Sequence, residues 1–193
     1  MPEKDKRLIL VRNDLLKEIV KITAKEGKTV FAFTNEVFEQ ALKAHEMQTN
    51  LSEIIEFFEF MKFQKDTGAV IIRSDMLDYM ANKLYETDKE DLLPKWYNSG
   101  LWYGKYLSVK FSDQDPLKTF EKLIRLSAWD LTDFSVTNRE KKIRIRYVSP
   151  RLTPENTNLY LKFLEGILHA LNYRTLKNEC MKGMILLELE KQK

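Results

Sequence analysis

Lys142-Ile143-Arg144-Ile145-Arg146-Tyr147-Val148 alternates strictly between charged and apolar side chains. A period of two puts Lys142, Arg144 and Arg146 on one face of a strand and Ile143, Ile145 and Tyr147 on the other. Upstream, a polar turn at Asn138-Arg139-Glu140 joins it to a second expected strand, Asp130 to Thr137. Downstream, Thr153-Pro154-Glu155 is a helix start, with a capping hydroxyl followed by proline at the first helical position, and the helix is expected to reach about Leu171. Two further strands, about Thr175 to Cys180 and Met184 to Leu189, turn at Lys182-Gly183. Helices beside hairpin-connected strands read as α+β.

Nearer the start, Ala69-Val70-Ile71-Ile72-Arg73 reads as a strand after the Asp66-Thr67-Gly68 turn. A helix from Ser74 or Asp75 to about Glu86, a charged connector Thr87 to Asp91, and a helix from about Lys95 to Phe111 follow. Gly100 and Gly104 lie four apart on one side of that helix, where another backbone can approach closely. Asp115-Pro116 opens a further helix to Leu126. The first third reads as a short strand, Arg7 to Arg12, and three helices. The first runs from Asn13 or Asp14 to Glu26, with Leu15, Leu16, Ile19, Val20 and Ile22 on one face, and ends at Gly27. The second is capped by Thr29, runs to Glu46 and turns Phe33, Val37, Phe38, Ala41 and Leu42 inward. The third opens at Asn50 or Ser52 and carries Ile54, Ile55, Phe57, Phe58 and Met61.

The chain has 193 residues, a net charge of +3 and one cysteine, Cys180. Such a charge announces no nucleic-acid binding by itself. A single cysteine excludes an internal disulfide framework and an all-thiolate metal site, which points to a reducing cytoplasm. No apolar run approaches the roughly 20 residues of a membrane span, so no membrane partner is expected. There is no glycine-rich phosphate loop, nucleophile elbow or paired zinc motif, and His45 and His169 stand in no metal-ligand spacing. Asp113 with Asp115, and Asp130 with Asp133, fit capping and solvation better than metal binding. The expectation is a non-catalytic protein with no cofactor and no metal. Residues 49–68 read as a linking helix and turn between an N-terminal element, 1–48, and an α+β domain, 69–193. One strand and two helices fall near the roughly 40-residue limit below which a domain needs a staple, and self-association into a homodimer is the simplest one.

Three segments carry a resemblance: Arg7-Leu8-Ile9-Leu10-Val11-Arg12-Asn13-Asp14-Leu15-Leu16, then Ala24-Lys25-Glu26-Gly27-Lys28-Thr29, then Phe33-Thr34-Asn35-Glu36-Val37. Together, over roughly residues 6 to 46, they resemble the ribbon-helix-helix family of the Arc and MetJ repressors. The resemblance implies that two chains pair their strands into a ribbon that enters the major groove of double-stranded DNA. Ile9 and Val11 would face the dimer core, Lys6, Leu8 and Leu10 the groove, and Lys28 with Thr29 a phosphate at the second helix start, with Arg7 and Arg12 adding phosphate contacts. Leucines on the groove face, and Phe31 early in the second helix, depart from the polar residues usual in that family.

Residues 69 to 190 more faintly resemble vinyl-reductase-like small-molecule-binding domains, through Tyr97-Asn98-Ser99-Gly100 with Gly104, Phe163-Leu164-Glu165-Gly166, and Asn178-Glu179-Cys180 before Gly183. This implies a pocket for a small apolar ligand, with Trp96, Trp102, Tyr103 and Tyr106 as lining candidates. Arg139, Lys142, Arg144 and Arg146 form the densest basic patch, a secondary phosphate-contact candidate whose commoner explanation is a solvated, salt-bridged sheet face. The leading expectation is a dimeric DNA-binding transcriptional regulator with a C-terminal sensor or assembly domain. The alternative is a dimeric ligand-binding protein or interaction scaffold that does not bind DNA.

Overall fold

The strand with the cleanest alternation becomes the second of four in one antiparallel sheet. The computed structural model describes residues 7–139 and 141–192, with Arg139 by its backbone alone. Among them are six helices and four strands in an α+β arrangement: α1 Asn13–Glu26, α2 Val30–Glu46, α3 Leu51–Asp66, α4 Ser74–Lys110, α5 Pro116–Ser127, β1 Asp133–Arg139, β2 Lys142–Val148, α6 Pro154–Ala170, β3 Tyr173–Met181 and β4 Met184–Lys191. The chain divides into two compact units between Glu59 and Phe60, inside α3. No helix of the described residues is long and apolar enough to cross a membrane.

In the second unit the sheet order is β1-β2-β4-β3, every neighbouring pair antiparallel. Alternation delivers Ile143, Ile145 and Tyr147 of β2, and Ile185, Leu187 and Leu189 of β4, to one buried face. Against it lie Phe120, Leu123 and Ile124 of α5 and Leu161, Leu164, Ile167 and Leu168 of α6. Proline at the first turn and a capping side chain explain where both helices begin. Asp115 accepts from the amides of Leu117 and Lys118, and Thr153 accepts from the amide of Asn156.

Helix α4 crosses α6 at very short range, and glycine permits it on both sides. A Cβ on Gly100 would stand 2.1 Å from the carbonyl oxygen of Phe163, one on Gly104 2.6 Å from that of Ile167, and one on Gly166 2.2 Å from that of Tyr97. The two expected helices, Ser74–Glu86 and Lys95–Phe111, are both present within α4. The charged connector between them narrows to a non-helical kink at Asp88 (φ −147°, ψ 37°), with Pro94 six residues later in the second helix.

In the first unit the helices form where expected, and their ends have local causes. Thr29 Oγ1 accepts from the amide of Ala32, and Gly27 takes the left-handed conformation (φ 66°) that closes α1. Arg12 occupies the N-cap of α1 in place of Asn13 or Asp14, and its guanidinium pairs with Asp14 at 2.9 Å.

Two expected strands are absent. Arg7 to Arg12 and Ala69 to Arg73 lie outside helix and sheet, because among the described residues no second strand lies beside either. Leu8 and Leu10 are each 92 % exposed. No ribbon-helix-helix element is therefore shown among the described residues at the N-terminus. The faces of α1 and α2 expected inward are likewise open: Leu15, Leu16, Val20, Ile22, Val37, Phe38 and Leu42 are all exposed, since two helices alone enclose no core. In α3 the buried residues are Phe60 and Phe63 rather than Ile54, Ile55, Phe57 and Phe58.

The glycine crossing sets a measurable cost. Gly166→Ala forces a methyl group into a backbone carbonyl, and we expect a loss of about 2–3 kcal/mol of stability in chemical denaturation, at the upper end of overpacking costs. A variant as stable as the parent would show that the two helices sit further apart.

Candidate functional site

The close crossing leaves a groove where the helices diverge from their contact. Leu92, Lys95, Trp96 and Ser99 of α4 and Tyr160 and Phe163 of α6 line a cleft of about 380 Å³. This volume falls within the range of small-molecule sites, and the lining is aromatic with few polar groups. The Trp96 ring meets Phe163 edge-on at 6.5 Å, and Phe163 stacks on Tyr160 at 6.0 Å. Burial holds the Tyr160 hydroxyl well above its ordinary pKa, so the wall is neutral. Lys95 is ion-paired with Asp91 one turn earlier.

The four aromatic candidates do not converge. Trp96 lines the cleft, whereas Tyr103 is buried in the core, its hydroxyl accepting from the Gln64 amide at 3.1 Å and its ring packing edge-on against Phe63. Trp102 and Tyr106, four residues apart, stack on each other at 5.5 Å on a different side of α4. Helical spacing explains the division, since positions 96 and 103 share a face two turns apart while 102 and 106 share another. Tyr160 and Leu92 were not singled out by the sequence. Only the spacing of apolar positions on α4 and α6 signals them, and that signal is identical for ordinary core.

A polar row runs beside the crossing. Glu165 is almost fully buried, yet both its oxygens are used: one accepts from Lys162 Nζ at 2.6 Å, the other from Asn178 Nδ2 of β3 at 2.7 Å. One turn on, His169 Nδ1 meets the Tyr97 hydroxyl of α4 at 2.8 Å and Nε2 meets Thr175 Oγ1 of β3 at 2.9 Å. The bulge between Thr175 and Lys177 interrupts the β3–β4 register beside this contact. One side chain thus ties three elements together. Glu165 and His169, an i, i+4 pair in an apolar helix, are the sequence trace of this row.

The exposed face of the sheet carries clefts of about 610 and 1050 Å³. The basic patch sits here but is matched by acids. Arg144 donates to Glu188 at 2.6 Å, Arg146 pairs with Asp133 at 2.5 Å, and Lys142 stands opposite Glu190. The Arg139 side chain lies outside the described ones. Cross-strand pairing of this kind makes a solvated, nearly neutral face.

The expected DNA contacts are dispersed or occupied. Lys6 lies outside the described residues. Lys28 pairs with Glu36 at 2.9 Å and Glu26 at 3.2 Å, and hydrogen bonds to those carboxylates raise its pKa above the ordinary lysine value. Thr29 is spent as the α2 cap. A lysine flanked by two carboxylates attracts no phosphate, because the anion would meet net negative charge. Among the described residues no group of three or more His, Cys, Asp and Glu is placed to hold a metal ion. Cys180 is half-buried, and burial pushes its thiol pKa up.

No protein-family model matches the chain, and no curated protein does. Solved structures match at low likeness. One, from work on heme distortion in the H-NOX family, is 13 % identical with a TM-score of 0.41, covering 68 % of this chain and 84 % of its own. Another, on modulating heme redox potential through porphyrin distortion, is 13 % identical at a TM-score of 0.41, covering 74 % and 94 %. A third, on the mechanism of H-NOX activation, is 15 % identical at 0.39, covering 66 % and 82 %. Likeness of this degree transfers no ligand to this chain. The Arg7–Arg12 segment, which lies outside helix and sheet, and Lys28, neutralised by Glu26 and Glu36, overturn the expected DNA-binding regulator, its double-stranded DNA partner and the ribbon-helix-helix assignment.

The row predicts a pH dependence. Burial lowers the folded-state pKa of His169 below its ordinary value near 6.5, so the unfolded chain takes up this proton first as pH falls. Its contribution is fully present above about pH 6.5 and is lost progressively as pH drops through the folded-state pKa. Denaturant midpoints between pH 8 and 5 should fall in the parent and fall less in His169→Gln. Parallel profiles would remove His169 as the cause.

Proposed function

We propose that this protein is a homodimeric ligand-binding protein, assembled through its N-terminal helices and holding a small apolar ligand on its C-terminal α+β unit. The observation that carries the assembly is where apolar surface remains open. Among the described residues, twenty-nine large apolar side chains are exposed, and twenty-four of these fall between Leu8 and Leu84. Isolated exposed leucines are ordinary, but helix after helix with an open apolar stripe is not. Burying half a dozen such side chains per chain is worth on the order of 10 kcal/mol before ordering costs. A second copy supplies matching faces through twofold symmetry.

The ligand part of the reading rests on the Trp96–Tyr160–Phe163 cleft. The resemblance to vinyl-reductase-like domains supports it, because Gly100, Gly104 and Gly166, which carry that resemblance, also form the crossing beside the cleft. Heme is not part of the reading. Both ring nitrogens of His169 are engaged and burial disfavours the Cys180 thiolate, so neither is a ready axial ligand. Nor is catalysis. His169 and Glu165 have their polar atoms engaged within α6 and with β3 and α4, and they line none of the clefts described above.

Sedimentation equilibrium at micromolar concentration should give twice the chain mass, and Leu16→Glu or Leu42→Glu should weaken association roughly 100-fold. A monomeric parent would end the dimeric reading. For the cleft, 1-anilinonaphthalene-8-sulfonate is the probe. Saturable binding that Trp96→Ala weakens roughly tenfold, with Trp102→Ala unaffected, is the expected result. Equal effects of the two substitutions would detach the ligand from this site.

A further inference from the structure

The segment Ala69-Val70-Ile71-Ile72-Arg73 has the side chains of a strand and no strand beside it among the described residues. Val70 is 83 %, Ile71 74 % and Ile72 42 % exposed. It is held at both ends. Gly68 turns the chain after α3 with φ 78°, and Arg73 is extended (φ −65°, ψ 137°) as the N-cap of α4. The ends also have their backbone bonds: the Ala69 amide donates to the Gln64 carbonyl at 3.0 Å, and the Arg73 carbonyl accepts from the Leu77 amide at 3.1 Å. Arg73, the segment's charged residue, is occupied by Asp75 through two hydrogen bonds. None of the devices that blunt an exposed strand protects Val70 to Ile72: no proline, no free charge, no bulge.

From this we infer that Ala69–Arg73 pairs antiparallel with the same segment of a second copy, centred on Ile71. The inference rests on the dimeric reading and names a second element of that interface. Symmetry and hydrogen bonding fix the register independently. A twofold axis normal to an antiparallel pair keeps facing side chains on one side only if a residue meets its own counterpart. Centring on Ile71 pairs all five residues, with Val70 opposite Ile72 and Ala69 opposite Arg73. Were Ile71 a hydrogen-bonded pair, the neighbouring bonded pairs would need the Ala69 amide and the Arg73 carbonyl, both already taken. With Ile71 in the non-hydrogen-bonded position, Val70 and Ile72 exchange four bonds across the axis and nothing else is disturbed. The segment is apolar on both faces, which suits a ribbon covered on both sides. The helix after it carries exposed apolar residues of its own, Met76, Met80 and Leu84 on α4.

Non-hydrogen-bonded partners bring their Cα atoms to about 4.5 Å, within the span of a disulfide. The test uses the full chain carrying Cys180→Ser, whose mass is measured first by sedimentation. In that background Ile71→Cys should form a covalent dimer under oxidised glutathione at least tenfold faster than Val70→Cys or Ile72→Cys. Ile71→Lys, which sets like charges against each other, should weaken association about tenfold. If the parent sediments as a dimer while the three cysteine variants cross-link equally slowly, or Ile71→Lys associates unchanged, the pairing is wrong and the dimer stands. If the parent is a monomer, the dimeric reading falls and this pairing with it.

Discussion

The approach of α4 to α6 at Gly100, Gly104 and Gly166 is the constraint on which the C-terminal unit depends. With no Cβ at these three positions, each helix backbone meets the carbonyls of the other directly. That distance decides what the flanking residues can touch. Tyr97 reaches His169, Tyr103 packs against Phe163, and Trp96 is left beside Phe163 at the rim of a groove instead of inside a wider interface. Helix α6 is thereby held between α4 and the sheet, and its nearly continuous burial from Leu159 to Leu168 follows.

Such a crossing leaves little room for polar adjustment, so polar groups within it must be satisfied locally. Glu165 and His169 meet this requirement by reaching to β3 on one side and, for His169, to α4 on the other. Their hydrogen bonds are structural in the sense that both residues tie α6 to β3, and His169 also ties it to Tyr97 of α4. The sheet's far face solves the opposite problem. Exposed to solvent, it alternates arginine and lysine with glutamate across strands, so that no net field builds up.

The N-terminal half is organised differently. Gly27 closes α1 and Thr29 caps α2, yet Thr23 and Ala44 are the buried positions among the described residues of α1 and α2. Local propensity and capping make helices there, and packing within one chain does not complete them.

Much was legible in the residues themselves wherever the cause acts within a few positions. Thr29, Asp115-Pro116 and Thr153-Pro154 begin helices because a side-chain acceptor and a fixed φ act inside one turn. The alternation of Lys142–Val148 specifies a half-buried strand, and Gly100 with Gly104 marks a close approach before its partner is known. What the tertiary structure decided depends on residues far apart. Arg7–Arg12 and Ala69–Arg73 have strand-forming side chains but lie outside the sheet, because a strand exists only against a neighbouring strand. The charged connector after Glu86 narrowed to a kink at Asp88 between two helices. Arg144 lost its claim to phosphate to Glu188, forty-four residues away. The cleft joins Leu92 and Trp96 to Tyr160 and Phe163 because one glycine-lined crossing brings two helices together, a distance that no local pattern encodes.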